Sequence, residues 1–380
     1  MSISSQPIHA DTSSRKIAWL FSPVVDLCAF LGSALVALGL LWVGHVSGWL
    51  DGETPEFLWV TAVLMIDVGH IYATGFRVYF DPVELRRRPW LYGLAPVLAF
   101  AVGAALYSES QTGFWRVLAY LAVFHFVRQQ YGWVALYRAK AGEHLGIGLW
   151  IDRFAIYLAT IYPLVYWHSH LPRQFWWFLE GDFRALPSVI ETVLRPIYWG
   201  AMILYASESV YRGVVQRQFN PGKDLVVLTT AVCWYVGIIT FDSDYAFTVT
   251  NVIIHGVPYF VLVYWYRWER VDSSRLREQN SALTDKPSGA THRGSLCARG
   301  RRIAGFLVLI WVLAYVEELF WETGVWHDRS WLFGTMWNLD EWSSILVPLL
   351  AVPQITHYIL DGFIWRKRSN REFAGMLNDT

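Results

Sequence analysis

Four histidines stand in stretches otherwise built of apolar residues: His70 in MIDVGHIYATGFR, His125 in VFHFVRQQYGW, His255 in TNVIIHGVPY and His357 in QITHYILDG. Each has a polar companion at helical spacing. Asp67 precedes His70 by three, Gln129 follows His125 by four with Arg128 between them, Asn251 precedes His255 by four, and Asp361 follows His357 by four. Offsets of three and four put both side chains on one helix face. Imidazoles and carboxylates ligate metals, and a neighbouring amide or carboxylate holds the second ring nitrogen and fixes the tautomer. His70, His125, His255 and His357 are therefore the expected metal ligands. Asp67 and Asp361 are expected as further ligands or catalytic carboxylates, and Arg128 as a catalytic residue, either anchoring substrate or serving as counter-ion to one of them. Gln129, Asn251 and Tyr358 are expected to hold the ligands in place. Such a set suits iron, zinc, copper or manganese. A His and carboxylate face with open positions suits oxygen-activating Fe(II), so iron comes first and zinc or copper behind it.

Taken singly, each histidine has a plainer reading, because a lone His in a membrane helix is often a hydrogen-bonded packing residue, and Asp67 could simply pair with Arg77 or Arg128. What favours a joint site is the elements that carry them. The chain is 54% apolar and 16% charged, far from the roughly 25% charge of soluble domains, and it reads as an integral membrane protein. A bilayer core takes roughly 20 apolar residues per helix. About ten such windows occur, near 18–46, 56–79, 90–108, 113–137, 149–171, 190–212, 224–241, 246–267, 303–321 and 342–365. The predicted fold is an all-α polytopic bundle. Arg and Lys collect in alternate loops, at Arg15 and Lys16, RRR at 86–88, Arg138 and Lys140, Arg212 to Lys223, Arg267 to Arg302, and RKR at 366–368. The positive-inside rule then places both termini in the cytoplasm. All four histidines fall on helices running inward, and at 1.5 Å per residue they lie within about 10 Å of one another in depth.

The domain plan is a cytoplasmic tail over 1–17, eight helices over 18–267, a basic flexible linker over 268–302, two helices over 303–365 and a tail over 366–380. The loop at 171–188, LPRQFWWFLEGDFRALPS, is expected to hold a short aromatic helix at the outer interface. A net charge of zero offers no overall field for nucleic acid. Cys28, Cys233 and Cys297 are scattered without a CxxC and receive no disulfide or metal role. Asp26, the Asp152 and Arg153 pair, and Glu317 with Glu318 are further charges within spans, expected at their ends. Phe124, Phe126, Tyr131, Tyr259 and Tyr358 flank the histidines and would suit a flat or long apolar substrate.

On the four His segments and this architecture, the chain resembles the histidine-rich polytopic membrane oxygenases, namely the fatty acid desaturase and hydroxylase group and the bacterial β-carotene dioxygenase group. The FHF around His125 is similar to the intramembrane histidine context of the latter, whereas the HxxHH boxes of desaturases are absent. The resemblance implies a class of chemistry and lends no residue a role. The expected function is a metal-dependent membrane oxidoreductase that hydroxylates, desaturates or cleaves a lipophilic molecule from the bilayer. No stretch looks able to bind flavin or an iron-sulfur cluster, so any reductant comes from an electron-donor protein. The expected location is a bacterial inner membrane. Alternatives using the same His, Asp and Arg set are a proton-coupled transporter and haem held by facing histidines. Membrane acyl transfer at Asn251 and His255 is a third.

Overall fold

The computed structural model describes residues 17–52, 54–143, 145–282, 292–366 and 370–378. The N-terminal tail expected over 1–17 lies outside the described residues except for Ile17. Helix makes up 80% of the structure, with no strand among the described residues.

Among these residues eight helices are long and apolar enough to cross a membrane: α1 Pro23–Ser47, α2 Glu56–Arg77, α3 Pro89–Glu109, α5 Ile147–Ser169, α7 Pro221–Thr240, α8 Asp244–Trp268, α9 Cys297–Trp326 and α10 Ser343–Ile364. The protein is an integral multi-pass membrane protein. Two more long helices, α4 Gln111–Lys140 and α6 Ser188–Val214, are 30 and 27 residues long and more polar. Local chemistry sets the ends. Ser22 accepts from the Val25 amide ahead of Pro23, and Gly48 closes α1 with φ 74°, a left-handed turn that costs glycine little. Ser110 caps α4 by accepting from the Gly113 amide at 3.0 Å. Asn220 with Pro221 and Ser243 do the same for α7 and α8.

α8 is the central helix: 83% of its apolar window is buried, against 28% for α3. It approaches α2 closely because Gly256 has no side chain. A Cβ there would lie 2.5 Å from Ile66 Cγ2 and 3.2 Å from the Ile66 carbonyl. Small residues permit such contacts in membrane bundles. Both helices also contain wide π-helical turns, Trp59–Val68 and Thr248–Val252, which end just before His70 and His255. Such turns recur at functional sites because they rotate the residues that follow. A hydrophobic core that includes Ala119, Phe126, Trp167, Phe247 and Ile254 fills the space between α4, α5 and α8, while Leu35, Trp42, Val97 and Ile203 face outward.

Two expectations change. The stretch 171–187 forms no helix. Pro172, Pro187 and Gly181 interrupt it, and the Asp182 carboxylate accepts from the Trp177 and Phe178 amides at 2.9 and 2.8 Å, tucking the aromatic loop onto Arg116. The segment expected as a flexible linker over 268–302 continues as helix, through Ala282 on one side and from His292 on the other. Its Leu, Glu, Gln and Arg are good helix formers, which composition alone did not weigh.

Candidate metal centre

The four histidines meet. His70 comes from α2, His125 from α4, His255 from α8 and His357 from α10, and all are buried. His70 Nε2 lies 3.1 Å from His255 Nε2, and His125 Nε2 lies 3.2 Å from His357 Nε2. Ring centroids of His70 and His357 are 4.8 Å apart, and those of His125 and His255 are 5.0 Å apart. Ligand nitrogens of His70, His125 and His255 all fall within 4.8 Å of one another. Imidazole nitrogens held about 2.0–2.1 Å from a common cation sit roughly 2.8–3.4 Å apart when neighbouring ligands subtend 90–109°. The two Nε2 to Nε2 distances match that spacing.

A neutral histidine that ligates through Nε2 offers that nitrogen bare, with the proton on Nδ1. For His357 the hydrogen bonds provide this. Asp361 Oδ1 accepts from Tyr259 Oη at 3.0 Å and from Trp365 Nε1 at 2.8 Å. With its O–H committed to the carboxylate, Tyr259 must accept at its oxygen from Thr74 Oγ1, 3.0 Å away. Thr74 must then accept from His357 Nδ1 at 2.7 Å. The line of donors leaves the His357 Nε2 lone pair pointing at the cluster. The other rings are held more loosely. His125 Nδ1 faces Asp361 Oδ2 at 3.8 Å, and His70 Nδ1 faces Asp67 Oδ1 at 3.7 Å. Both are beyond hydrogen-bond length. His70 Nδ1, Asp67 Oδ1 and His255 Nδ1 are buried with no hydrogen-bond partner. Aromatic rings close the remaining sides, with Tyr358 stacked on His125 at 4.7 Å and Phe126 on His255 at 3.6 Å.

The helical companions are partly reassigned. Asp67 faces His70, its own neighbour. Asp361 faces His125 on another helix instead of His357 on its own. Gln129 does not hold His125; its Nε2 donates to the His255 carbonyl at 2.8 Å, pinning α4 to α8. Asn251 turns away, donating to the Phe247 carbonyl at 3.3 Å and Thr250 Oγ1 at 3.0 Å. Arg128 is exposed, donates to Tyr157 Oη and lies over the Tyr131 ring, so it is not the counter-ion of Asp67 or Asp361. A helix turns about 100° per residue, and one position beyond Val127 already points outward. Arg77 pairs with Glu84 at 3.0 Å, not with Asp67. Sequence reasoning missed Thr74, which stands four residues after His70 and carries no signal of its own. Glu317 is buried within α9, where Trp321 Nε1 donates to it at 3.2 Å.

The fold and the cluster together define a multi-pass helical membrane protein with four convergent buried histidines. Compared with family models, with curated proteins and with solved structures, the chain matches none.

Proposed function

We propose that the protein is a metal-dependent membrane enzyme that oxidises a lipophilic molecule at the centre formed by His70, His125, His255 and His357. The observation that carries this is the 3.1 and 3.2 Å spacing of paired Nε2 atoms from four separate helices, together with a hydrogen-bond line that bares one of them. Neutral histidines could instead pair Nε2–H to Nε2, two by two, whereas a cation would use the lone pairs of all four convergent Nε2 atoms at once. Iron is the first choice and zinc or copper follow. Bound there, iron would supply oxygen activation.

The chain's own residues do the rest. The Thr74, Tyr259 and Asp361 line holds the proton at His357 Nδ1. Asp67, unpartnered beside His70, is placed to take or return a proton, and the aromatic rings of Phe126 and Tyr358 keep water off the ligand nitrogens. Arg128 has no part. Oxidation that consumes reducing equivalents would draw them from a partner protein.

In this reading α4 and α6 also cross, giving ten spans with both termini in the cytoplasm, and the membrane is a bacterial inner membrane. Support for α4 comes from His125, which meets the ligands of three spanning helices, and from its 30 residues, about 45 Å of helix. Haem between His125 and His255 is disfavoured because their ring centroids lie 5.0 Å apart at 84°, which leaves no slot for a macrocycle. A proton-coupled carrier would use the same histidines as a relay.

Metal analysis of the detergent-purified protein, wild type beside His255→Ala and His357→Ala, tests the proposal. One metal per chain, lost in both variants, is expected. A wild type that binds no metal when iron, zinc and copper are each supplied would overturn it.

A further inference from the structure

A cavity of about 220 Å³ opens beside the histidines, between the starts of α2 and α8 and the loop that carries Arg329. Its mouth is polar. Thr54 Oγ1 donates to Asp244 Oδ2 at 2.6 Å, and Arg329 lies over the Trp59 ring at 4.0 Å. These residues lie at the face opposite the Arg- and Lys-rich loops. Its walls are aromatic, and Phe126, which stacks on His255, is one of them. Asp67, whose other side faces His70 at 3.7 Å, also lines it. The cavity therefore runs from the aqueous face to two side chains packed against the histidine cluster, Phe126 and Asp67, with no histidine in its own lining.

Its size and charge restrict what it can hold. Pockets that enclose a drug-sized molecule run to roughly 300–1,000 Å³, so this one holds a small molecule or the end of a longer one. Asp67 and Asp244 are its carboxylates. Its cation, Arg329, is already paired with Glu322 at 2.6 Å and Glu56 at 3.3 Å. Carboxyl groups therefore outnumber the cation within reach, and an anionic guest would be desolvated beside them with no free cation to pair with. Hydroxyl and amine groups would find acceptors in Asp244 and Asp67. Flat apolar groups would find Trp59, Phe126, Trp177 and Phe247.

We propose that this chamber is the substrate site, that it loads from the face opposite the Arg-rich loops, and that it takes a flat or ring-bearing alcohol or amine while excluding carboxylates and phosphates. The proposal rests on the metal reading above and narrows its lipophilic substrate away from fatty acids and phospholipid head groups.

The test titrates benzyl alcohol, benzylamine and benzoate into detergent-purified protein loaded with Co(II), following the visible cobalt bands and tryptophan fluorescence, since Trp59 and Trp177 line the chamber. The alcohol and the amine should shift both signals saturably, with benzoate at least tenfold weaker. Asp244→Asn should narrow that gap. Val63→Trp and Thr248→Leu, which fill the chamber, should abolish the response while metal content stays at the wild-type level, the control for folding. Equal or tighter benzoate binding, or a response untouched in both filled variants, would overturn the proposal. If the wild type takes up no cobalt, the metal reading fails while the fluorescence arm still decides whether the chamber selects by charge. For the entry route, Val63→Cys is made with Cys28→Ser and Cys297→Ser and treated in oriented vesicles with an impermeant methanethiosulfonate. Labelling is expected from the face opposite the Arg-rich loops, and labelling only from the Arg-rich face would overturn that route.

Discussion

Two of the polar clusters buried among the described residues are built on opposite plans. Where α4, α5 and α7 meet, Arg138 pairs with Asp152 and with Glu143 at 2.6 Å. Lys223 Nζ bridges Glu143 and Asp152 at 3.0 Å each, Asn220 donates to Glu143 at 2.7 Å, and Arg212 meets Glu143 at 3.2 Å and Glu208 at 2.7 Å. Cations and carboxylates alternate, and the groups complete one another. At the histidine cluster four groups of the same kind converge, with ring nitrogens and a carboxylate oxygen left without partners. Complementary charges explain themselves as structure. Convergent like groups call for something between them.

The widest separation of the two plans comes from removing one group from each. Asp152→Leu leaves Lys223 and Arg138 buried against one carboxylate fewer, and breaking a buried pair in this way costs about 3–5 kcal/mol. Thermal unfolding in detergent should show a Tm drop of many degrees, with metal content of the folded fraction unchanged. His255→Leu should do the reverse, abolishing metal binding while lowering the unfolding transition of metal-free protein far less than Asp152→Leu does, because the leucine removes a buried nitrogen that has no partner along with one neutral contact to His70. A large Tm loss in metal-free His255→Leu would mean that the histidines are a structural network like the ion pairs.

A smaller effect is expected from Thr74→Val and Tyr259→Phe. Each interrupts the donor line to His357 without touching a ligand, and partners of ligating histidines are typically worth 10–100-fold in metal affinity. Competition with a chelator of known affinity measures it, and unchanged affinity in both variants would remove the line from the account.

Acid should sharpen the contrast further. Burial opposes the charge on Glu143, yet Lys223, Asn220 and Arg138 outweigh it and hold this loop carboxyl below its ordinary value of 4.5. A depressed carboxyl contributes stability that is present above that ordinary value and lost as pH falls through the lower folded one. The wild-type Tm should therefore fall as the pH drops below about 4.5, with a shallower fall in Glu143→Gln. Parallel profiles would show that the pairs around Glu143 contribute little. Smallest of all is Arg128→Gln, which should leave metal content unchanged and alter stability by no more than about 0.5 kcal/mol, the range of ordinary surface substitutions.

Much of this is legible in the sequence. Apolar windows place the helices, and counting residues along them brings His70, His125, His255 and His357 to one depth. Helix rotation is not legible in that way. Asp361 stands four residues after His357, yet the packing of α10 against α4 leaves it facing His125. Thr74 is a common residue on a face that only tertiary packing reveals, and Arg128 differs from a ligand partner by one position of helical phase. The loop at 171–187 misleads for another reason. Its aromatics suit an interfacial helix, but one carboxylate, Asp182, collects the amides such a helix would have used.

X-ray absorption at the metal edge of the purified, metal-loaded protein tests the central claim most directly. The account predicts nitrogen scatterers at about 2.0–2.2 Å with the outer-shell pattern of imidazoles, reduced by one ring in His357→Ala or lost with the metal itself. A metal shell without imidazole, or one unchanged in that variant, would contradict it.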